Sequence, residues 1–170
     1  YDNGGWPQYY PLREGYYQRI TFNDNAMIGV MQLLRDIAGG RGKFAFVDQT
    51  RRRRAERALV KGLEVILNTQ VRVDGRLTVW CAQHDEKTLE PAKARSYELA
   101  SLSGSESVSI LRYLMDIDNP APEVRSAIVA GCEWFERSKI SGQRLVRKMD
   151  PAFAKGYDRV LVPDPEAPPL

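Results

Sequence analysis

A mainly α fold built from antiparallel helix pairs, with one short β-hairpin, follows from two observations. Apolar residues recur at three- and four-residue spacings in four separate stretches. Between the second and third stretches, an Asp-Gly pair at 74–75 sits between two short alternating runs, the pattern of a tight hairpin turn.

The first 22 residues read as extended and irregular, punctuated by Gly4, Gly5, Pro7 and Pro11. The first helix begins near Asn25, with Met27, Val30, Met31, Leu34 and Ile37 on one face. Asn23, Asp24 and Asn25 offer caps at its start, and Gly39-Gly40 stop it. A second helix is expected over 50–70, with Ala55, Leu59, Leu63, Ile66 and Leu67 as its apolar stripe and arginines opposite. The hairpin over 71–79 follows. A third helix starts near Ser105, carrying Val108, Leu111, Leu114 and Met115. A fourth starts at Pro122, a favoured first helical position, and carries Val124, Ile128, Gly131 and Phe135. From 143 to 170 the helical pattern fades into an irregular, Pro-rich tail.

Composition bounds the class. With 43% hydrophobic and 28% charged residues over 170 positions, the chain has the make-up of a soluble globular domain able to bury a core. No apolar run approaches membrane-spanning length, so no membrane partner is expected. No leader is apparent, but the chain begins at Tyr1 rather than Met and is read as processed or partial, so this does not exclude secretion. A net charge of +3 is compatible with an anionic partner but far from that of a dedicated nucleic-acid binder. Arg51 to Arg54 and Arg57 would fan around a helix rather than form one stripe, which reads as a solvated helix start. Cys81 and Cys132 read as small buried hydrophobes, with a bridge between them as the alternative that two thiols alone do not decide.

The densest chemistry lies over 77–86, Leu-Thr-Val-Trp-Cys-Ala-Gln-His-Asp-Glu. There an apolar, strand-like run gives way to Gln83, His84, Asp85 and Glu86, including the single histidine of the chain. The simplest reading is a surface turn. One histidine and two distant cysteines do not supply a zinc ligand set. Asp85, joined by Asp24 from elsewhere, suits an oxygen-coordinated cation such as calcium, and the Asn-Asp-Asn run at 23–25 is either a cap or part of such a site. Asp24 with Asp85 or Glu86 would also serve as a carboxylate pair for glycoside hydrolysis. Lys93 and Arg95, two apart, would point the same way on extended backbone and form a fork for carboxylate or phosphate, unless they belong to a solvated loop. The serine-rich run at 101–107 has the wrong order for a Gly-x-Ser-x-Gly elbow; Ser103 and Glu106 have capping-box spacing. Trp6, Tyr9, Tyr10, Tyr16 and Tyr17 either stack on sugars or cover a core edge.

Four segments together carry a resemblance: Gly-Gly-Trp-Pro-Gln-Tyr-Tyr-Pro over 4–11, Ile-Thr-Phe-Asn-Asp-Asn-Ala-Met over 20–27, Leu-Thr-Val-Trp-Cys-Ala-Gln-His-Asp over 77–85, and the run over 91–107. In this order and at this spacing they resemble the family 10 pectate lyases, most closely over 4–140. The resemblance implies an α/α toroid of three helical hairpins, incomplete in this chain, so that residues 1–170 form part of one catalytic domain. It implies calcium-dependent cleavage of polygalacturonate by β-elimination, in a secreted, extracellular or periplasmic monomer. Asp24, Asn25 and Asp85 match the family's calcium ligands. Gln83, His84, Lys93 and Arg95 are the substrate-binding candidates. The arginine that serves as base belongs to a Trp-Ala-Arg segment that does not occur in 1–170 and is expected beyond Leu170. The rival readings are a non-catalytic module that binds pectin and calcium, and a glycoside hydrolase on a similar helical toroid.

Overall fold

Residues 1–40 and 42–170 are described by a computed structural model. They form two compact units, Tyr1–Glu133 and Trp134–Leu170. In the first unit an irregular N-terminal arm leads through strand β1 (Ile20–Thr21) and a turn at 23–25 into helix α1 (Ala26–Gly39). The period seen in the sequence places Met27 and Met31 in the core, together with Ile28. Gly40 ends the helix in the left-handed region (φ 58°), its amide reaching the Asp36 and Ile37 carbonyls.

Helix α2 (Gln49–Asn68) starts slightly earlier than expected because Asp48 is its cap, accepting the Arg51 amide at 2.9 Å. Its arginine run is partly spent on local structure: Arg51 pairs with Asp48, and Arg52 donates to the Val47 and Ala45 carbonyls at 2.8 Å. Gly62 lets α1 and α2 approach, since a Cβ there would sit 2.3 Å from Met31 Sδ. The helix ends before Thr69, whose hydroxyl donates to the Val65 carbonyl at 2.8 Å.

The Asp-Gly turn forms as its residue types require. Asp74 (φ 50°) and Gly75 (φ 77°) connect β2 (Arg72–Val73) to β3 (Arg76–Leu77). The chain then runs inward, still bonded to Val71: the Thr78 amide donates to the Val71 carbonyl at 2.8 Å, and the Val71 amide donates to the Val79 carbonyl at 3.0 Å. Val79 and Trp80 are fully buried. The Trp80 indole donates to the Ile66 carbonyl at 2.7 Å, and its backbone amide donates to Ser107 Oγ at 3.0 Å. Strand β4 (Gln83–His84) then pairs antiparallel with β1.

Helix α3 (Gly104–Met115) buries Ser107, Ile110, Leu111, Tyr113 and Leu114. The expected capping box is not formed. The Ser103 hydroxyl instead donates to the Glu106 carboxylate and accepts no backbone amide. Helix α4 (Pro122–Ser138) turns Val124, Ala127 and Gly131 inward. Cys81 is buried as expected, but Cys132 is exposed: one residue past Gly131, it lies about 100° around the helix from the core-facing line. The core is continuous, with Ile20, Phe22, Met27, Met31, Ile66, Trp80, Ile110 and Leu114 at 0–1% exposure. Each such aliphatic or Phe side chain contributes about 1.5–3 kcal/mol. Among the described residues, four α-helices, with α1 packed along α2 and against α3, and small open β-pairs give a mainly α fold, a partial α/α-toroid-like arrangement.

In the second unit the tail expected to be irregular is paired. β5 (Gln143–Met149) and β6 (Tyr157–Pro163) form an antiparallel hairpin over their full length. Val146, Val160 and Val162 share its half-buried side. Their connection at 150–156 lacks a two-residue turn signal, which is why the strands were not legible.

Candidate active site

The site is organised by the two rungs of the β1–β4 ladder, Ile20–His84 and Thr21–Gln83. Past the Thr21–Gln83 rung, the amides of Phe22 and Asn23 both donate to the Ala82 carbonyl, at 2.9 and 3.1 Å. The chain then enters the 23–25 turn, where Asp24 (φ 54°) and Asn25 (φ 59°) both adopt left-handed backbone. Asp and Asn tolerate that region better than other side chains. Neither serves as the expected cap, since Asn25 precedes α1 without a side-chain hydrogen bond to it. Both residues are exposed.

Past the Ile20–His84 rung, continuing the register by one residue sets Arg19 opposite Asp85. Arg19 Nη1 pairs with Asp85 Oδ2 and lies 3.0 Å from Glu86 Oε2. Asp85 Oδ1 accepts the amides of Lys87 and Thr88, each at 3.0 Å. Those two amides, ahead of the Arg19 charge, hold the Asp85 carboxyl below its ordinary range. The two carboxylates expected to act together therefore follow opposite ends of the ladder, Asp24 one end and Asp85 the other. Among the described residues no group of three His, Cys, Asp or Glu side chains gathers for a metal.

Gln83 and His84 are strand residues taken into the core, not the exposed end of a strand. His84 is fully buried, edge-on to Phe22 with ring centroids 5.8 Å apart. Its Nδ1 lies 2.9 Å from the Leu89 carbonyl; because a carbonyl only accepts, Nδ1 carries the proton. Burial pushes the imidazole below its ordinary value, keeping it neutral. His84 thus holds the loop containing Leu89, whose φ of 65° is unusual for a leucine. Gln83 is 3% exposed, and its Oε1 is buried without a hydrogen-bond partner.

Gln83 also lines a cavity of about 200 Å³ with Asn23, Asp24, Arg95, Glu98 and three tyrosines, Tyr9, Tyr16 and Tyr17. A neighbouring cavity of about 460 Å³ shares Asn23, Gln83, Ala94 and Glu98 and continues over Tyr97 and Leu99. A larger one, about 830 Å³, runs past Leu67, Thr88 and Ser126 and contains none of the expected site residues. Of those residues, the first cavity brings together Asp24, Gln83 and Arg95; Asn25, His84, Asp85 and Lys93 are not in its lining. Arg95 spends one edge on Glu98, with Nε 2.8 Å from Oε2 and Nη2 on Oε1. The donor chemistry around Asp24, a carboxylate with amide oxygens of which one is buried and unsatisfied, fits a hard cation. Arg19 and Glu98 were missed in the sequence. A three-residue spacing to Arg95 was the available signal for Glu98; only the strand register points to Arg19.

The family model for pectic acid lyase matches residues 1–170, the whole chain. This chain belongs to the pectic acid lyase family. Two solved structures of the family 10 polysaccharide lyase from Cellvibrio cellulosa are similar to it, each 38% identical with a TM-score of 0.84. One is a mutant in complex with trigalacturonic acid. Each match covers 98% of this chain and 51% of the solved one, so the chain spans about half the length of these lyases. No curated protein matches the chain. Among the described residues of this lyase-family chain, no helix is long and apolar enough to cross a membrane.

Proposed function

We propose that this protein is a secreted, calcium-dependent pectate lyase. In this reading it cleaves α-1,4-polygalacturonate by β-elimination to 4,5-unsaturated oligogalacturonides, and residues 1–170 are part of one catalytic domain. The observation that carries the reading is the Asp24 cavity. A family-matching Asn-Asp-Asn turn leaves the Asp24 carboxylate uncommitted to helix capping, beside a buried Gln83 oxygen that has no donor.

Asp24 and Asn25 are the oxygen ligands proposed at this end of the ladder; the family resemblance of the Gln-His-Asp segment also implies Asp85, which here pairs with Arg19 past the other end. When bound, calcium supplies positive charge against the second negative charge that develops on a galacturonate carboxylate as the proton on the adjacent carbon is removed. Arg95 has Nη1 without a hydrogen-bond partner among the described residues, a donor free for a substrate carboxylate. Exposed Lys93 adds attraction for a polyanion. Gln83 shapes the cavity floor, and His84, buried behind it, positions the 85–90 loop. The proton-abstracting base is assigned to none of residues 1–170.

The test is incubation of the full-length protein with polygalacturonate, following the near-ultraviolet absorbance of the unsaturated product. Product that appears with calcium and stops with a chelator is the expected result. Saturated reducing ends would indicate a hydrolase, and binding without turnover a non-catalytic module. Turnover indifferent to chelation would remove the metal from the account.

A further inference from the structure

The arginines of α2 read in the sequence as a fan around the helix start, but the fold sorts them into two sets. Arg51 pairs with Asp48, and Arg52 donates to the Val47 and Ala45 carbonyls. Arg53, Arg54 and Arg57 are exposed and, among the described residues, have no hydrogen bond or ion pair. At 100° per residue these three fall within about 100° of the helix circumference. Ala55, Gly62 and Ile66 are buried on the opposite side. Lys61 shares the arc but donates to the Asp2 carbonyl at 2.8 Å. Glu56 lies about 60° beyond Arg53, and Glu64 follows toward the C-terminus, so the free positive charge is concentrated in the first half of the helix.

Arg52 has a second effect. By holding the Ala45 and Val47 carbonyls it fixes the loop that carries Phe46, whose side chain is 84% exposed. Three free guanidiniums and a bare aromatic ring therefore share the N-terminal end of α2. This end stands well apart from the Asp24 cavity. Met31 of α1 abuts Gly62, and Gly40 just past α1 abuts Arg52, so the two helices run antiparallel. With 14 residues at 1.5 Å each, α1 puts roughly 20 Å between Asp24 and the start of α2.

A neutral polysaccharide would use Phe46 but leave the guanidiniums unpaired. A lone small anion would occupy one guanidinium and ignore the ring. A polyuronate suits the whole surface, since every unit carries a planar carboxylate for arginine and an apolar ring face for phenylalanine. We propose that Phe46, Arg53, Arg54 and Arg57 form an anchoring surface for polygalacturonate, apart from the Asp24 cavity. The choice of polymer rests on the pectate lyase reading. A second point of attachment raises the local concentration of chain near the first without any new contact in the cavity.

The test measures retention of the full-length protein by insoluble polygalacturonate in the presence of a chelator, which keeps calcium away and separates anchoring from turnover. Wild-type protein should be retained at low salt and released as salt rises. Replacing Arg53→Gln, Arg54→Gln and Arg57→Gln together should weaken retention about tenfold. Phe46→Ala should weaken it about threefold and tests the surface independently if the triple variant fails to fold. A control with Arg76→Gln, Arg125→Gln and Lys139→Gln removes the same charge elsewhere and should stay within about twofold of wild type. Wild-type retention in both the triple variant and Phe46→Ala overturns the surface, as does an equal loss in the control. Equal retention of the wild type by fully methyl-esterified pectin, which lacks free carboxylates, also overturns it. Retention by immobilised DNA but not by polygalacturonate would give the surface to nucleic acid instead. Absence of unsaturated product from the same wild-type preparation with calcium overturns the lyase reading, a result separate from retention in chelator.

Discussion

Arg19 faces Asp85 one position beyond the Ile20–His84 rung, and its guanidinium bridges Asp85 and Glu86. The three side chains are only 31%, 27% and 18% exposed, so the contact is partly shielded from water. Removing the arginine leaves two adjacent carboxylates without their counter-charge. Arg19→Gln should lower unfolding stability by about 1 kcal/mol, with the deficit shrinking as salt screens the repulsion. Urea titrations at low and high ionic strength measure this; equal stability of the two proteins at low salt would contradict it.

Gln83 gives the opposite sign. Its side chain is buried with Oε1 unsatisfied, an arrangement that costs stability unless function requires it. Gln83→Leu, of similar size, should raise stability by about 1–2 kcal/mol. The same variant should weaken calcium binding, because an oxygen bordering the Asp24 cavity has gone. A melting curve and a calcium titration on one preparation separate the two effects. A loss of stability would mean that Gln83 is a satisfied core residue.

The cap of α2 provides the pH dependence. The Asp48 carboxyl is held below its ordinary value of 3.8, first by the Arg51 amide and then by the Arg51 side chain. A carboxyl with a lowered folded value stabilises the fold above the unfolded value, and that contribution disappears as pH falls through the folded one. Asp48→Ala should therefore melt below wild type at neutral pH. The gap should begin to close as pH drops under about 4 and vanish once wild-type Asp48 is protonated. Thermal melts followed by circular dichroism across this range test the sign; a gap that widens in acid would refute it.

These cases show which parts of the fold were legible in the sequence. Local features were: the Met27–Met31 spacing, the Gly40 stop, the Asp74-Gly75 turn and Pro122 at a helix start each depend on a few neighbouring residues. The β1–β4 ladder was not, because it joins residues about sixty positions apart with only two rungs. That short pairing carries Gln83 and His84 into the core, although the polar run at 83–86 reads as a single exposed chemical group. It also sends Asp24 and Asp85 past opposite ends of the ladder, which residue type could not reveal. Cys132 was misread for a simpler reason: hydrophobicity alone does not say on which side of α4 a residue falls. Among the candidate site residues, Asp24, Gln83 and Arg95 share a cavity, and their residue types had already suggested oxygen ligation and carboxylate binding.

The most direct measurement is calorimetric titration of calcium into the full-length protein and its Asp24→Asn variant. Asparagine keeps the left-handed backbone accessible at this exposed position, so folding should be preserved. The account predicts saturable calcium binding by the wild type and a loss of at least about tenfold in Asp24→Asn, roughly 1.4 kcal/mol, with unfolding stability changed by less than about 0.5 kcal/mol. Equal calcium affinity in the two proteins would contradict it.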